Sequence, residues 1–431
     1  MKKIRFLIIS LILVFLFLFH LRFLSRNFDW DSCVYALNIQ KNRIESAFFN
    51  PHHLGFESSG LLYWKWIQSI YPTTDIMFFL RLRILVSSLI FLGIFIWIFQ
   101  KLYKDFFLAI LLAMCIQFSQ AFWFYSLHND TPLIHSCLMA LLFLFTVYFL
   151  RGGLKHWHLI LLWCLQLFSI YFHQSNVIHF GIVPSAILLN QNRSFGKKLR
   201  TIFIYLTLLG VATIVSYLFV GFVILKRGLG PIDEKHFSFW MFLYAAINRW
   251  GMSEGEKNYF HYFYRGIGDA FLVFQNVTPK FRVDFSNFFS KNHILYNLNA
   301  LFWMFTMTMG LINFRKLWKT YRSELIIMAF WLPPSICFYT WWEGYFFEFW
   351  VGTVIALWIL NFYIFQSMTL SSFPVFSKSL LHTIYITVGG LFFLTNFAFS
   401  TLPRSIGPKF GYIEGIQGPV LKLADESIYQ R

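Results

Sequence analysis

Asp29 and Asp31 flank Trp30 just beyond a long apolar run at the start of the chain. A carboxylate at a membrane surface can take a proton from an attacking hydroxyl, or hold a divalent ion beside a phosphate. Asp31-Ser32 also has the composition of a helix N-cap, which accounts for one carboxylate more readily than for both. Tyr35 follows, and then the turn Asn50-Pro51-His52-His53. Adjacent imidazoles point different ways on most backbones, so at most one of the two histidines is expected to face a site.

Four further clusters carry titratable groups. His128-Asn129-Asp130-Thr131-Pro132 opens an apolar run. Asp130 there is either the N-cap of a helix with Pro132 in its first turn, or a second functional carboxylate. His173-Gln174-Ser175-Asn176 forms a tight polar turn, which composition alone explains. Trp341-Trp342-Glu343 and Glu348 lie where aromatic residues form an interfacial belt, but glutamates at that depth need a partner or a cavity. Arg81 and Arg83 open an apolar run, and Arg249, Arg265 and Arg282 lie in a long polar segment. Snorkelling to headgroups is the common fate of such arginines, whereas a lipid phosphate requires one or two that bind bidentately. No third ligand at a defined spacing accompanies the histidines, so a divalent metal ion stays open as a cofactor and no other is implied.

The elements that position these residues follow from composition. Apolar residues make up 58% of the chain and charged ones 13%, against roughly 25% charged in a soluble domain. Runs near 4–24, 83–100, 106–125, 132–150, 157–172, 177–190, 201–225, 298–314, 324–340, 346–365 and 381–402 predict eleven transmembrane helices. The alternation of a membrane barrel is absent. The first run continues past residue 19 with no small-residue cleavage site, so it reads as an uncleaved helix. The fold expected is an all-α polytopic membrane protein, with one transmembrane domain over 1–402 and a short external tail over 403–431. Two long external loops, 25–82 and 226–297, are aromatic-rich and suit amphipathic helices at the interface. The five cysteines show no paired spacing.

Orientation follows from charge. The short connections 101–105, 151–155, 191–200, 314–322 and 366–378 are basic, which places them and the N-terminus in the cytoplasm. Of 19 acidic residues, all but Asp105 and Glu324 then fall on the external face. The chemistry is expected there. A net charge of +17 points to anionic lipids and phosphate-bearing substrates, and no nucleic-acid-binding motif appears.

In this order the clusters resemble the GT-C superfamily of membrane glycosyltransferases, and within it the branch of protein O-mannosyltransferases and lipid A aminoarabinose transferases. Asp31-Ser32-Cys33-Val34-Tyr35 is similar to the branch's external Asp-Glu-x-x-Tyr motif, with Ser32 in place of Glu. Asn50-Pro51-His52-His53-Leu54 sits where that branch has a His/Pro-rich turn, and Asp130-Thr131-Pro132-Leu133 looks like the acidic opening of a later helix. The likeness covers roughly the first 190 residues. It implies a GT-C-like bundle and an inverting transfer from a polyprenyl-phosphate-linked sugar to a protein, lipid or glycan acceptor. Asp31 would be the base, assisted by Asp29 and Asp130. Tyr35, His52, His53, His128, His173, Arg81, Arg83, Arg249, Arg265, Trp342, Glu343 and Glu348 would line the substrates. The membrane expected is a bacterial inner membrane, with the site facing the periplasm. The competing class is a transporter or lipid flippase, which predicts charged residues within spans, broken helices and paired repeats.

Overall fold

A computed structural model describes residues 2–25, 27–28, 30–41, 51–73, 75–230, 238–240, 243–244, 258–273, 294–344, 346–369, 377–406 and 410–411. Within these the chain is helical, apart from a two-residue parallel pairing of Asn27–Phe28 with Phe410–Gly411. The first helices are α1 (Lys2–Arg22), α2 (Trp30–Gln40), α3 (Phe56–Ile70), α4 (Ile76–Tyr103), α5 (Phe106–Phe118) and α6 (Gln120–Ser126). Next come α7 (Pro132–Gly152), α8 (His156–Phe172), α9 (Ile182–Leu189), α10 (Phe195–Leu218) and α11 (Tyr259–Phe271). The last are α12 (Ile294–Ile312), α13 (Phe314–Met328), α14 (Leu332–Glu343), α15 (Val351–Thr369), α16 (Lys378–Asn396) and α17 (Leu402–Ile406).

Among the described residues, six helices are long and apolar enough to cross a membrane: Lys3–Arg22, Ile76–Tyr103, Pro132–Gly152, Phe195–Ile224, Phe347–Thr369 and Lys378–Ile406. Two bent pairs raise the number to eight if each is one span: α5 with α6, bent by 75°, and α13 with α14, bent by 43°. The other three apolar runs form shorter helices, His156–Phe172, Gln174–Leu189 and Asn297–Ile312. A 17-residue helix such as α8 extends roughly 26 Å, short of a ~30 Å hydrocarbon core crossed straight. The chain is thus a multi-pass helical membrane protein, with six to eight helices of spanning length among the described residues. Hydropathy counts eleven runs because it registers apolar composition and not where a helix stops.

The chain forms two compact units: one of residues 1–24, 91–124 and 256–406, the other of 25–90, 125–255 and 407–431. In the first, α15 is buried almost throughout its length. Several polar groups of this helix and its neighbours are paired inside the unit, as a hydrocarbon solvent favours. Trp358 Nε1 donates to Ser119 Oγ at 3.0 Å, and Asn361 Nδ2 to Thr306 Oγ1 at 3.0 Å. Tyr385 donates its hydroxyl to Asn361 Oδ1 at 2.6 Å.

The sharp break between α5 and α6 would orphan backbone groups if nothing met them. Asn396 serves this region from the end of α16. Its Nδ2 donates to Phe118 O at 2.7 Å and Phe271 O at 2.9 Å, and its Oδ1 accepts from Val273 N at 2.9 Å. At the opposite end of α5, Asp105 accepts from Leu108 N at 3.0 Å and pairs with Lys378 at 3.2 Å. Burial alone would raise the Asp105 carboxyl, but the Leu108 amide, Lys378 and His382 hold it below the usual carboxylate range. Because one buried side chain makes three bonds, tying the α5–α6 break to the end of α11, Asn396→Ala should destabilise the protein by about 3 kcal/mol. A marked fall in the detergent-solubilised Tm is the expected reading, and an unchanged Tm would contradict this role.

Candidate functional site

The second unit gathers most of the polar clusters. Asp31 lies in the first turn of α2, where a carboxylate favours the positive helix end. Asp31, Tyr35 and Asn38 follow one another at i, i+4 and i+7, so they share a helix face. Asp31 is exposed, whereas Tyr35 and Asn38 are buried. The Tyr35 hydroxyl meets His53 Nε2 at 3.1 Å, and the two rings pack edge to face with centroids 5.1 Å apart. Asn38 Nδ2 donates to Glu57 Oε1 at 2.9 Å. These two contacts anchor α2 to the turn at 51–55 and to α3. Cys33, expected in a loop, is buried within α2 because the helix begins at Trp30.

The turn bearing the two histidines is held from the other side by residues 171–174. Gly55 N donates to Tyr171 O and Gln174 N to His52 O, each at 2.8 Å. His52 Nδ1 is bonded to Gln174 Nε2, and the Tyr217 hydroxyl donates to Pro51 O at 2.6 Å. His173 caps the 3-10 turn Gln174–His179, accepting from Ser175 N at 3.3 Å, and its Nδ1 lies 2.6 Å from Ser175 Oγ. Its ring packs on that of His135, with centroids 4.7 Å apart. Asn176 Nδ2 donates to Ser169 O at 2.9 Å and approaches His135 Nδ1 at 3.3 Å. Burial, followed by the proximity of His135, His53 and His52, holds the His173 imidazole well below its ordinary pKa. The histidines form a hydrogen-bonded nest in which His173 favours the neutral form.

Arg81 and Arg83 both lie near the start of α4, and both are buried. Arg81 is a clasp: Nε donates to Leu127 O at 2.7 Å and Nη2 to Ser25 O at 2.8 Å. Arg83 Nη1 donates to Phe56 O at 3.1 Å and Ser59 Oγ at 2.9 Å, with the guanidinium 4.7 Å from the Phe56 ring centroid. The neighbouring segment His128, Asn129 and Asp130 is buried too. Asp130 is not the N-cap of α7; Thr131 holds that position with Pro132 first in the helix. Asp130 Oδ1 instead accepts from Thr131 N at 2.6 Å, so its carboxylate turns back on the adjacent backbone.

Asp31, Tyr35, His52, His53, Arg81, Arg83, His128, Asp130 and His173 therefore all belong to one unit. Arg265, Trp342 and Glu348 belong to the other. There Arg265 pairs along α11 with Asp269 at 3.5 Å, and burial lifts the Asp269 carboxyl to about 6 against the lowering effect of Arg265. Trp342 is buried against Phe349, with ring centroids 4.6 Å apart, and Glu348 sits half-buried in the turn Phe347–Trp350. Asp29 and Arg249 lie outside the described residues, as does the side chain of Glu343. Among the described residues, no three His, Cys, Asp or Glu side chains converge as a metal site requires.

Sequence reasoning passed over Asn38, Glu57 and His135, and took Asn129, Gln174 and Asn176 only as members of polar turns. For Asn38 a signal existed, since it continues the Asp31–Tyr35 face by one further turn. The other partners are distant in sequence, and nothing local to them announces the contact. No protein-family model matches the chain, and no curated protein is detectably similar to it.

His173 gives the nest a pH dependence with a definite sign. Its folded pKa is lowered, so as pH falls through about 6.5 the unfolded chain takes up a proton that the folded one refuses. Stability is full above that pH and declines below it. The Tm should drop progressively from about pH 6.5 downward. His173→Asn keeps an acceptor for the Ser175 amide and should flatten that decline; an identical pH profile would remove His173 as its source.

Proposed function

We propose that the chain is an inverting membrane glycosyltransferase of the GT-C kind, using a sugar carried on a polyprenyl phosphate. The observation that carries this reading is Asp31, an exposed carboxylate at the head of a helix whose same face is immobilised by the Tyr35–His53 and Asn38–Glu57 contacts. A base works only when held in place, and those contacts fix the helix that presents it. In this reading Asp31 takes the proton of the acceptor hydroxyl as its oxygen bonds to the anomeric carbon. The bond from that carbon to the phosphate oxygen breaks on the opposite face, which inverts the configuration. Negative charge then develops on the departing lipid phosphate and is stabilised by a cationic donor. His53 and Tyr35 orient the acceptor through hydrogen bonds.

The finer architecture belongs to this proposal: an eleven-helix GT-C-like bundle in which the three shorter helices also enter the bilayer, with the site on the periplasmic face of a bacterial inner membrane. The acceptor is a protein, lipid or glycan presented on that face. One observation favours a second reading, a transporter or flippase for an anionic lipid or glycolipid. The α5–α6 and α13–α14 pairs are bent by 75° and 43°, and transporters place binding sites at such broken helices.

Transfer from a panel of labelled polyprenyl-phosphate sugars, in membranes holding wild type or Asp31→Asn at equal expression, separates the two. Removal of a general base is expected to cost roughly a hundred-fold or more in rate. Full activity of the variant would remove Asp31 as the base. Movement of a lipid probe across vesicles, without transfer, would select the transporter.

A further inference from the structure

Arg83 is 9% exposed and Asn129 fully buried, yet Arg83 Nε and Asn129 Nδ2 donate to nothing. Among the described residues no carboxylate lies within ion-pair distance of Arg83. Its Nη1 is committed to Phe56 O and Ser59 Oγ. Its other edge, Nε with Nη2, is the one that grips an oxyanion with two parallel bonds. That edge has only a long 3.4 Å contact from Nη2 to Asn129 Oδ1. A buried guanidinium left in this way is costly unless an anion completes it. Arg81, two residues earlier, shows the alternative, since backbone carbonyls take its Nε and Nη2.

The surroundings are shaped for close approach. A Cβ on Gly60 would come within 3.1 Å of Arg83 Nη1 and 2.7 Å of Ile39 Cδ1, so α3 packs closely against the guanidinium here and a side chain would make both tips shift. Tyr63, one turn beyond Ser59 on the same face of α3, is half-buried and within electrostatic reach of Arg83. The same helix bears an exposed apolar stripe, with Leu62 71%, Trp66 57% and Ile70 65% accessible at i, i+4 and i+8. A buried, under-committed guanidinium held by the helix that bears an uncovered apolar stripe matches an amphiphile with an oxyanion head.

We propose that Arg83, Asn129 and Ser59 bind the phosphate of a lipid whose hydrocarbon chain lies along Leu62, Trp66 and Ile70. The phosphate accepts from Arg83 Nε and Nη2 and from Asn129 Nδ2, while Ser59 steadies the opposite edge of the guanidinium. The site needs only a chain seated in a bilayer and stands whether or not sugar transfer occurs. If transfer does occur, the site deepens that reading by naming where the donor phosphate rests.

Equilibrium binding of labelled farnesyl phosphate and farnesol to the purified full-length chain in detergent tests it. The phosphate should bind at least about tenfold more tightly than the alcohol. Arg83→Gln should erase that preference. Asn129→Asp supplies Arg83 with an internal carboxylate, so it should erase the preference while the Tm holds or rises, which keeps the test sound if Arg83→Gln fails to fold. Equal binding of phosphate and alcohol by wild type, or wild-type phosphate binding by Asn129→Asp, would overturn the proposal. Competition by lysophosphatidate as strong as that by unlabelled farnesyl phosphate assigns the site to bilayer phospholipid; weak competition assigns it to an isoprenoid carrier. Since no transfer is read, binding without transferase activity would count against the function proposed above and not against this site.

Discussion

In hydrocarbon a backbone amide or carbonyl without a protein partner has none at all. The whole architecture answers to that constraint. Long straight helices satisfy it within themselves, and each departure from a straight helix needs a side chain to stand in. Asn396 does so near the α5–α6 break, meeting two carbonyls and one amide from separate segments. Ser119, in the break itself, receives the indole N–H of Trp358. The α5–α6 bend is therefore a specified feature, met by polar residues that would otherwise be unfavourable in a span.

The same rule organises the second unit, where polar side chains are more numerous. The turn at 51–55 is held on one side by α2 through Tyr35, and on the other by residues 171–174 through backbone bonds and Gln174. Neither segment could hold the histidines alone, since each contributes only part of their partners. Neutrality is the condition for burying so many imidazoles together. Burial and mutual repulsion both disfavour the charged form, as at His173. The result is a rigid polar floor in the same unit as an exposed carboxylate and a buried guanidinium.

Arginine chemistry differs within a single turn of α4. Arg81 ties Ser25 and Leu127 together through their carbonyls and so joins segments distant in sequence. Arg83 lies beside a glycine face of α3 with its bidentate edge nearly uncommitted. The two residues share charge, depth and helix, and they part only in what the surrounding backbone offers them.

Composition and periodicity alone determined that the chain is helical and membrane-spanning, because apolar runs of this length admit no other paired backbone. They also located Asp31, Tyr35, the two histidines, the two arginines and Asp130, since polar groups in so apolar a chain are conspicuous. Sequence did not reveal where the α5–α6 helices break, because Phe118 and Asn396, and Ser119 and Trp358, are joined only by folding. Glu57 escaped notice, and Asn129 stood only as a member of a polar cluster, for the same reason: their meaning lies in partners at Asn38 and Arg83, 19 and 46 residues away. Tertiary structure decided that Asp130 turns onto its own backbone, that Arg81 is a clasp, and that Arg83 is not. Those outcomes depend on which donors and acceptors packing brings within about 3 Å, a distance that no local pattern encodes.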